Sequence, residues 1–169
     1  MTRKRLFAIN ENDDAIGSAK LVDVMAPKQE TDKILIVLCG LPGCGKSMIT
    51  SILNNPKIIS ADKLRYNDKG EYNYDADKDS DIFQQTYDMC EKYMESGETP
   101  IVIDNTNCHI NHAKEYVDMA AKYDYKISKL FIPCSVKDSL ARNKHEVPES
   151  TIGMMKKNLL DHFGEETNR

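Results

Sequence analysis

Apolar positions along this chain follow two rhythms. Short apolar runs occupy residues 34–38, between Lys33 and Cys39, and 100–103; 57–60 and 125–132 carry shorter apolar centres, the last closing on Leu130-Phe131-Ile132. Runs this short and rich in β-branched residues predict strands, the first of them buried on both faces. Other segments repeat every three to four residues. Phe83, Tyr87, Cys90 and Met94 predict a helix over 79–96, ended by Gly97. Ala113, Val117 and Ala120 predict one over 111–123, and Ile152, Met155, Leu159 and Phe163 one over 148–163. A shorter helix is expected over 48–53, with Ile49, Ile52 and Leu53 on one side and Pro56 as its end, and another over 135–142. Strands alternating with helices predict an α/β domain with a parallel sheet.

The junction of the first strand and first helix carries Gly40-Leu41-Pro42-Gly43-Cys44-Gly45-Lys46-Ser47, which fits G-x-x-x-x-G-K-[ST] at every fixed position. Gly40, Gly43 and Gly45 predict positive φ and close approach of the backbone to a ligand. The loop amides, from Gly43 through Cys44, Gly45, Lys46 and Ser47 to Met48, would then form a nest for a nucleotide's phosphates, helped by the helix start. Lys46 brings a compact positive charge to the β- and γ-phosphates. Ser47 offers a hydroxyl to Mg²⁺, a cation that keeps most of its waters and takes few protein ligands. The motif calls for the di- or triphosphate of a nucleotide, with Mg²⁺.

Two further strand ends carry carboxylates. Asp62 follows the strand at 57–60, where ligands of an open α/β sheet sit. It is placed to act as a general base, with Arg65 on the same helical face able to clamp a substrate phosphate. As a bare pattern, Asp62 also fits a helix cap and Arg65 a solvated charge. The strand at 100–103 runs into Asp104-Asn105-Thr106-Asn107. A hydrophobic strand ending in Asp places a carboxylate near Mg²⁺ or its waters. Residues 66–74 hold turn chemistry at Asp68-Lys69-Gly70 between tyrosines and predict a small hairpin. The segment Asn143-Lys144-His145-Glu146-Val147-Pro148 falls where a lid belongs, with Arg142 or Lys144 able to close over ATP.

Composition narrows the setting. At 169 residues the chain is about one domain, and its net charge of −4 gives no global pull on nucleic acid. Its apolar stretches fall short of membrane-spanning length. Met1–Arg5 is basic, but only residues 6–9 follow as an apolar patch, too short for a signal-peptide core. Five scattered cysteines, Cys39, Cys44, Cys90, Cys108 and Cys134, lack a Cys-x-x-Cys pair. They read as reduced core residues in a reducing, cytoplasmic compartment. Cys108, His109 and His112 fit a loop and helix cap better than a metal site, because no fourth ligand has the right spacing. Residues 1–32, with Arg3-Lys4-Arg5 and an acidic stretch at 11–14, read as a tail or a short, loosely packed hairpin rather than a basic arm. The expected division is an extension over 1–32, a domain over 33–164 and a tail over 165–169.

Taken in order, the phosphate loop, Ile59-Ser60-Ala61-Asp62-Lys63-Leu64-Arg65, Ile103-Asp104-Asn105-Thr106-Asn107, and Ala141-Arg142-Asn143-Lys144-His145 with Val147-Pro148 resemble the P-loop kinase domain of polynucleotide 5′-hydroxyl kinases. Gly70-Glu71-Tyr72 and the Asn-Lys-His-x-Val-Pro run are also similar to the related kinase-like domain of Nedd4-binding protein 2. The resemblance covers roughly residues 33–163. It implies a three-layer α/β sandwich, a four- or five-stranded parallel sheet with helices on both faces. It implies ATP and Mg²⁺, with Lys46 and Ser47 on the phosphates and metal, beside the Asp104 carboxylate read from its strand end. It implies Asp62 as base for a ribose 5′-hydroxyl, Arg65 on the phosphate flanking the acceptor nucleoside, and Arg142 as the lid arginine. The partner implied is a 5′-hydroxyl nucleic-acid end. Two departures touch the acceptor side: Ala61 stands where some relatives carry Arg, and the lid is short and weakly basic. Motifs of a phosphatase or a ligase partner are missing, so the resemblance implies phosphorylation of ends without their processing or sealing.

Overall fold

The computed structural model describes residues 32–163, together with two short strands nearer the N-terminus. In chain order these elements are β1 (Phe7–Ile9), β2 (Ala15–Ile16), β3 (Ile34–Cys39), α1 (Lys46–Thr50), β4 (Lys57–Ile59), α2 (Ala61–Leu64), a 3₁₀ turn (Ala76–Lys78), α3 (Asp79–Glu95), β5 (Ile101–Ile103), α4 (Ile110–Lys122), β6 (Lys126–Phe131), α5 (Val136–Ala141) and α6 (Glu149–Phe163). The Arg3-Lys4-Arg5 cluster, the acidic stretch at 11–14, the weakly apolar piece at 19–25 and the tail at 165–169 lie outside the described residues.

One sheet runs in the order β2-β1-β6-β3-β5-β4. Its heart is four parallel strands: β3 pairs with β5 on one side and with β6 on the other, and β5 pairs with β4. Within residues 1–32, expected as a tail or a loosely packed hairpin, the two described strands join the sheet. β1 pairs antiparallel with β2 and with β6, from Phe7 opposite Phe131 to Ile9 opposite Lys129. Helices cover both faces, giving the three-layer α/β architecture. Strand order reverses at β3, with β4 and β5 on one side and β6 on the other. In such sheets the carboxyl ends at the reversal form a crevice for ligands.

The hydrophobic pattern explains this arrangement. Every residue of β3 is buried, as is every residue of β5, which suits strands covered on both faces. At about 1.5–3 kcal/mol for each buried Leu, Ile or Val, these two strands account for much of the drive to fold. Leu130 of β6, Cys90 and Met94 of α3, Ala113 and Ala120 of α4, and Ile152 and Leu159 of α6 complete the same core. Phe163 stacks on Phe131 with ring centroids 5.0 Å apart, seating the end of α6 against β6. All five cysteines are buried thiols in this core. Burial pushes the Cys39 and Cys90 thiols up to about 12, well above the range of a reactive thiolate.

Two expectations need correcting. The first helix spans only Lys46–Thr50, so Ile52 falls in the turn beyond it and is 67% exposed, while Ile49 and Leu53 are buried. On α3, Thr86 rather than Phe83 enters the core. It does so because the α4 residue Tyr116, 0% exposed, supplies a hydroxyl 2.8 Å from Thr86 Oγ1. Among the described residues no helix is long and apolar enough to cross a membrane.

Candidate active site

The loop between β3 and α1 is shaped by its glycines in two different ways. Gly43 and Gly45 take φ of 68° and 99°, in the left-handed region where a side chain is strained. Gly40, expected to do the same, is needed for space instead: a Cβ there would lie 2.7 Å from Cys44 Sγ and 3.0 Å from the Ile132 carbonyl oxygen. The Cys44 side chain is buried beneath the loop, and its amide donates to Leu41 O at 3.2 Å. The Met48 amide donates to Gly45 O at 3.1 Å and its side chain is exposed. Of the six loop residues expected around the nucleotide, Gly43, Gly45, Lys46 and Ser47 therefore line the open cleft, and Cys44 and Met48 do not. Lys46 Nζ folds across the loop, donating to Gly40 O at 3.0 Å and Leu41 O at 2.8 Å.

The end of β5 is stitched to its neighbours. Ser47 Oγ donates to Asp104 Oδ2 at 3.3 Å, and the Asp104 amide to Ile59 O at 2.8 Å. Asn105 Oδ1 accepts the amide of Ala61 at 2.8 Å, and Asn107 Nδ2 donates to Leu38 O at the same distance. These asparagines fix the start of α2 and the end of β3 relative to Asp104. Their role could not be read from residue spacing, because it depends on which strands become neighbours. Burial raises the Asp104 carboxyl above its ordinary value, against the lowering influence of Lys46 and Ser47. A hydroxyl and a carboxylate this close form a hard-oxygen donor pair, the chemistry that suits Mg²⁺.

Asp62 stands in the first turn of α2, just beyond β4. Its Oδ1 accepts from Arg65 Nη1 at 2.7 Å and from the Tyr72 hydroxyl at 3.2 Å. Arg65 was expected to face a substrate phosphate. It is instead turned away from the main cleft, with a side chain only 12% exposed. It is paired with Asp62 and with Asp79 at the start of α3, and it lies 5.2 Å beneath the Tyr74 ring. The physical reason is the planar fork of donors, whose Nη1 goes to Asp62 and whose Nη2 goes to Asp79 on another helix. Residues 66–74 do form a hairpin, closed by a Tyr66–Tyr72 bridge. Beyond α5, the lid loop is tied by Asn143, whose Nδ2 donates to Val147 O at 2.7 Å and whose Oδ1 accepts from Val147 N at 3.1 Å. Hairpin and lid touch through Tyr72 and His145, stacked at 4.1 Å.

A cleft of about 720 Å³ collects these groups at the carboxyl ends of the strands, in the size range of ligand sites. Its walls include Lys46 and Ser47 from the loop, Asp62 and Lys63 from α2, Asp104 from β5, and Arg142 from the lid. Lys63 was missed by sequence reasoning; nothing distinguishes it there from a solvated lysine. Gly43 abuts the lid base, since a Cβ on it would come 2.8 Å from Arg142 Cβ. His109 caps α4, its Nδ1 accepting from Asn111 N at 3.3 Å, and Cys108 packs against Gly40 O. Among the described residues no cluster of three or more His, Cys, Asp or Glu side chains is arranged to hold a metal ion.

The profile of the AAA domain family matches residues 35–159. The chain belongs to the AAA domain family. This AAA domain is 30% identical over 138 residues to human NEDD4-binding protein 2, a match covering 77% of this chain and 8% of that protein. It therefore spans a small part of the length of this curated relative. The AAA domain also has the fold of a chain in the solved Pnkp1/Rnl/Hen1 RNA repair complex, with a TM-score of 0.65 and 20% identity over 80% of this chain and 46% of the other. A second structure of the Pnkp1/Rnl/Hen1 complex gives 0.57 and 19%, covering 73% and 43%. The AAA domain thus carries a P-loop and shares its fold with a chain of that complex.

Proposed function

We propose that this domain is an ATP-dependent kinase that transfers the γ-phosphate to the 5′-hydroxyl end of a nucleic acid. The observation that carries the reading is that Lys46, Ser47, Asp62, Asp104 and Arg142 line one cleft. A phosphate-loop lysine alone indicates nucleotide binding. A carboxylate facing the same cleft adds a group that can receive an alcohol's proton.

The loop's glycines leave its backbone open to approach, which fits a polyphosphate. Lys46 would exchange its bonds to Gly40 O and Leu41 O for phosphate oxygens. Ser47 and Asp104 would hold Mg²⁺, which supplies positive charge to the phosphates when bound. Asp62 accepts the proton of the acceptor hydroxyl. Arg65, bonded to Asp62 Oδ1, holds that carboxylate in its orientation. Arg142, at the base of the lid, meets charge on the transferred group. Positioning and electrostatics of this kind supply most of the acceleration in phosphoryl transfer.

Transfer of labelled γ-phosphate tests the reading, with 5′-hydroxyl DNA and RNA oligomers as acceptors, 5′-phosphorylated oligomers as controls and a panel of small alcohols beside them. Label on the 5′-hydroxyl oligomers alone is the expected result. Label on small alcohols but on no oligomer would move the domain to small-molecule kinases. Nucleotide binding without transfer would make it a binding module.

A further inference from the structure

Asp62 does not present two equivalent oxygens. Oδ1 accepts two donors, Arg65 Nη1 at 2.7 Å and the Tyr72 hydroxyl at 3.2 Å. A carboxylate oxygen has about two lone pairs to give, so Oδ1 is saturated. Oδ2 instead faces His145, whose Nε2 lies 4.0 Å away, beyond hydrogen-bond reach.

The position of His145 is built in from two directions. Its ring stacks on Tyr72 at an interplanar angle of 25°. Its loop is tied by the two Asn143–Val147 bonds. Tyr72 in turn sits in a hairpin closed by Asn67, whose amide donates to Glu71 O at 3.0 Å and whose Oδ1 accepts the Glu71 amide at 2.9 Å. The same tyrosine thus holds the base by its hydroxyl and the imidazole by its ring. His145 also lines the cleft wall.

A gap of 4.0 Å between an acceptor and a donor suits one oxygen bonded to both. With bonds of about 2.7 and 2.9 Å, such an oxygen would see the two partners at roughly 90°. We propose that the acceptor hydroxyl binds in this gap, donating to Asp62 Oδ2 and accepting from His145 Nε2–H, with Tyr72 as the positioning residue that sets the gap. The inference rests on the kinase reading above and deepens it: a lid residue recognises the alcohol, not only the nucleotide. In the reaction the hydroxyl oxygen bonds to the γ-phosphorus and its proton passes to Oδ2. The bond from that phosphorus to the β–γ bridging oxygen breaks, and its electron pair leaves on the nucleoside diphosphate. The gap takes an alcohol hydroxyl, which on the kinase reading is the 5′-hydroxyl of a sugar.

Three substitutions in the full chain test this. His145→Phe keeps a ring on Tyr72 and removes the nitrogen; His145→Gln returns a donor near the same place; Tyr72→Phe keeps the stack and removes the hydroxyl from Asp62. His145→Phe is expected to raise the acceptor KM about tenfold, the loss of one hydrogen bond, with ATP affinity unchanged. His145→Gln should recover part of that loss. Tyr72→Phe should lower kcat more than it raises the acceptor KM. A second readout needs no turnover: the imidazole resonances of His145 should move on addition of a 5′-hydroxyl dinucleotide and stay still with its 5′-deoxy analogue. Wild-type values for His145→Phe in an actively transferring protein would overturn the gap while leaving the kinase reading intact. A wild-type protein that neither labels 5′-hydroxyl ends nor binds them overturns both.

Discussion

Ser47 Oγ lies 3.3 Å from Asp104 Oδ2, joining the loop after β3 to the end of the adjacent strand β5. Burial is the largest influence on that carboxyl and raises it above its ordinary 3.8. An acid with a raised folded-state value holds more protons folded than unfolded, so its contribution to stability is full below 3.8 and is lost as pH rises through the folded value. Asp104→Asn removes the charge that burial disfavours. Calorimetry of the ligand-free protein should then give a higher melting temperature than wild type at neutral pH and a flatter stability curve just above pH 3.8. Mg²⁺-dependent nucleotide binding should weaken by about 10–100-fold.

Asp62→Asn preserves shape and hydrogen-bonding reach but cannot take a proton. Turnover should fall by roughly 10²–10⁴ with nucleotide affinity nearly unchanged. Single-turnover transfer beside equilibrium nucleotide binding checks the split. A mutant that transfers at the wild-type rate removes Asp62 from the base role.

Gly43→Ala should damage loop and lid together. At φ 68° the new methyl is strained, and it would meet Arg142 Cβ at 2.8 Å and Arg142 O at 3.0 Å. The strained backbone alone costs about 1–3 kcal/mol. Thermal unfolding should fall accordingly, and nucleotide affinity with it. Unchanged affinity would mean that the loop and the base of the lid act independently.

Tyr116→Phe removes one hydroxyl from the deepest aromatic position. Thr86 Oγ1 keeps its bond to Phe83 O at 2.7 Å but loses its 2.8 Å partner. The cost should be about 1 kcal/mol. For a chain of this size that is roughly 2–4 °C in melting temperature. Activity of the folded protein should be retained, which sets this position apart from those in the cleft.

Much of the fold was legible because it rests on local signals. The uninterrupted apolar run of β3 can only be a strand covered on both faces, and the glycine–lysine loop after it marks one end of the cleft. Asp104 was legible for the same reason, as the polar residue that ends an apolar strand. The pairing of Arg65 with Asp79 was not legible, because Asp79 lies fourteen residues on, at the start of another helix, and spacing does not report that meeting. The Tyr72–His145 stack escaped notice likewise: it joins two loops distant in sequence, and each aromatic alone is an ordinary surface residue. A short hairpin was among the readings of residues 1–32, but the pairing of β1 with β6 was not legible, since two or three residues carry no readable period or partner.

Asn143 and Val147 bond each other twice, at 2.7 and 3.1 Å, across only three intervening residues. A loop latched in this way has surrendered its internal freedom before anything binds. A ligand that meets this loop loses little of its binding energy to ordering it, and more remains for holding substrate.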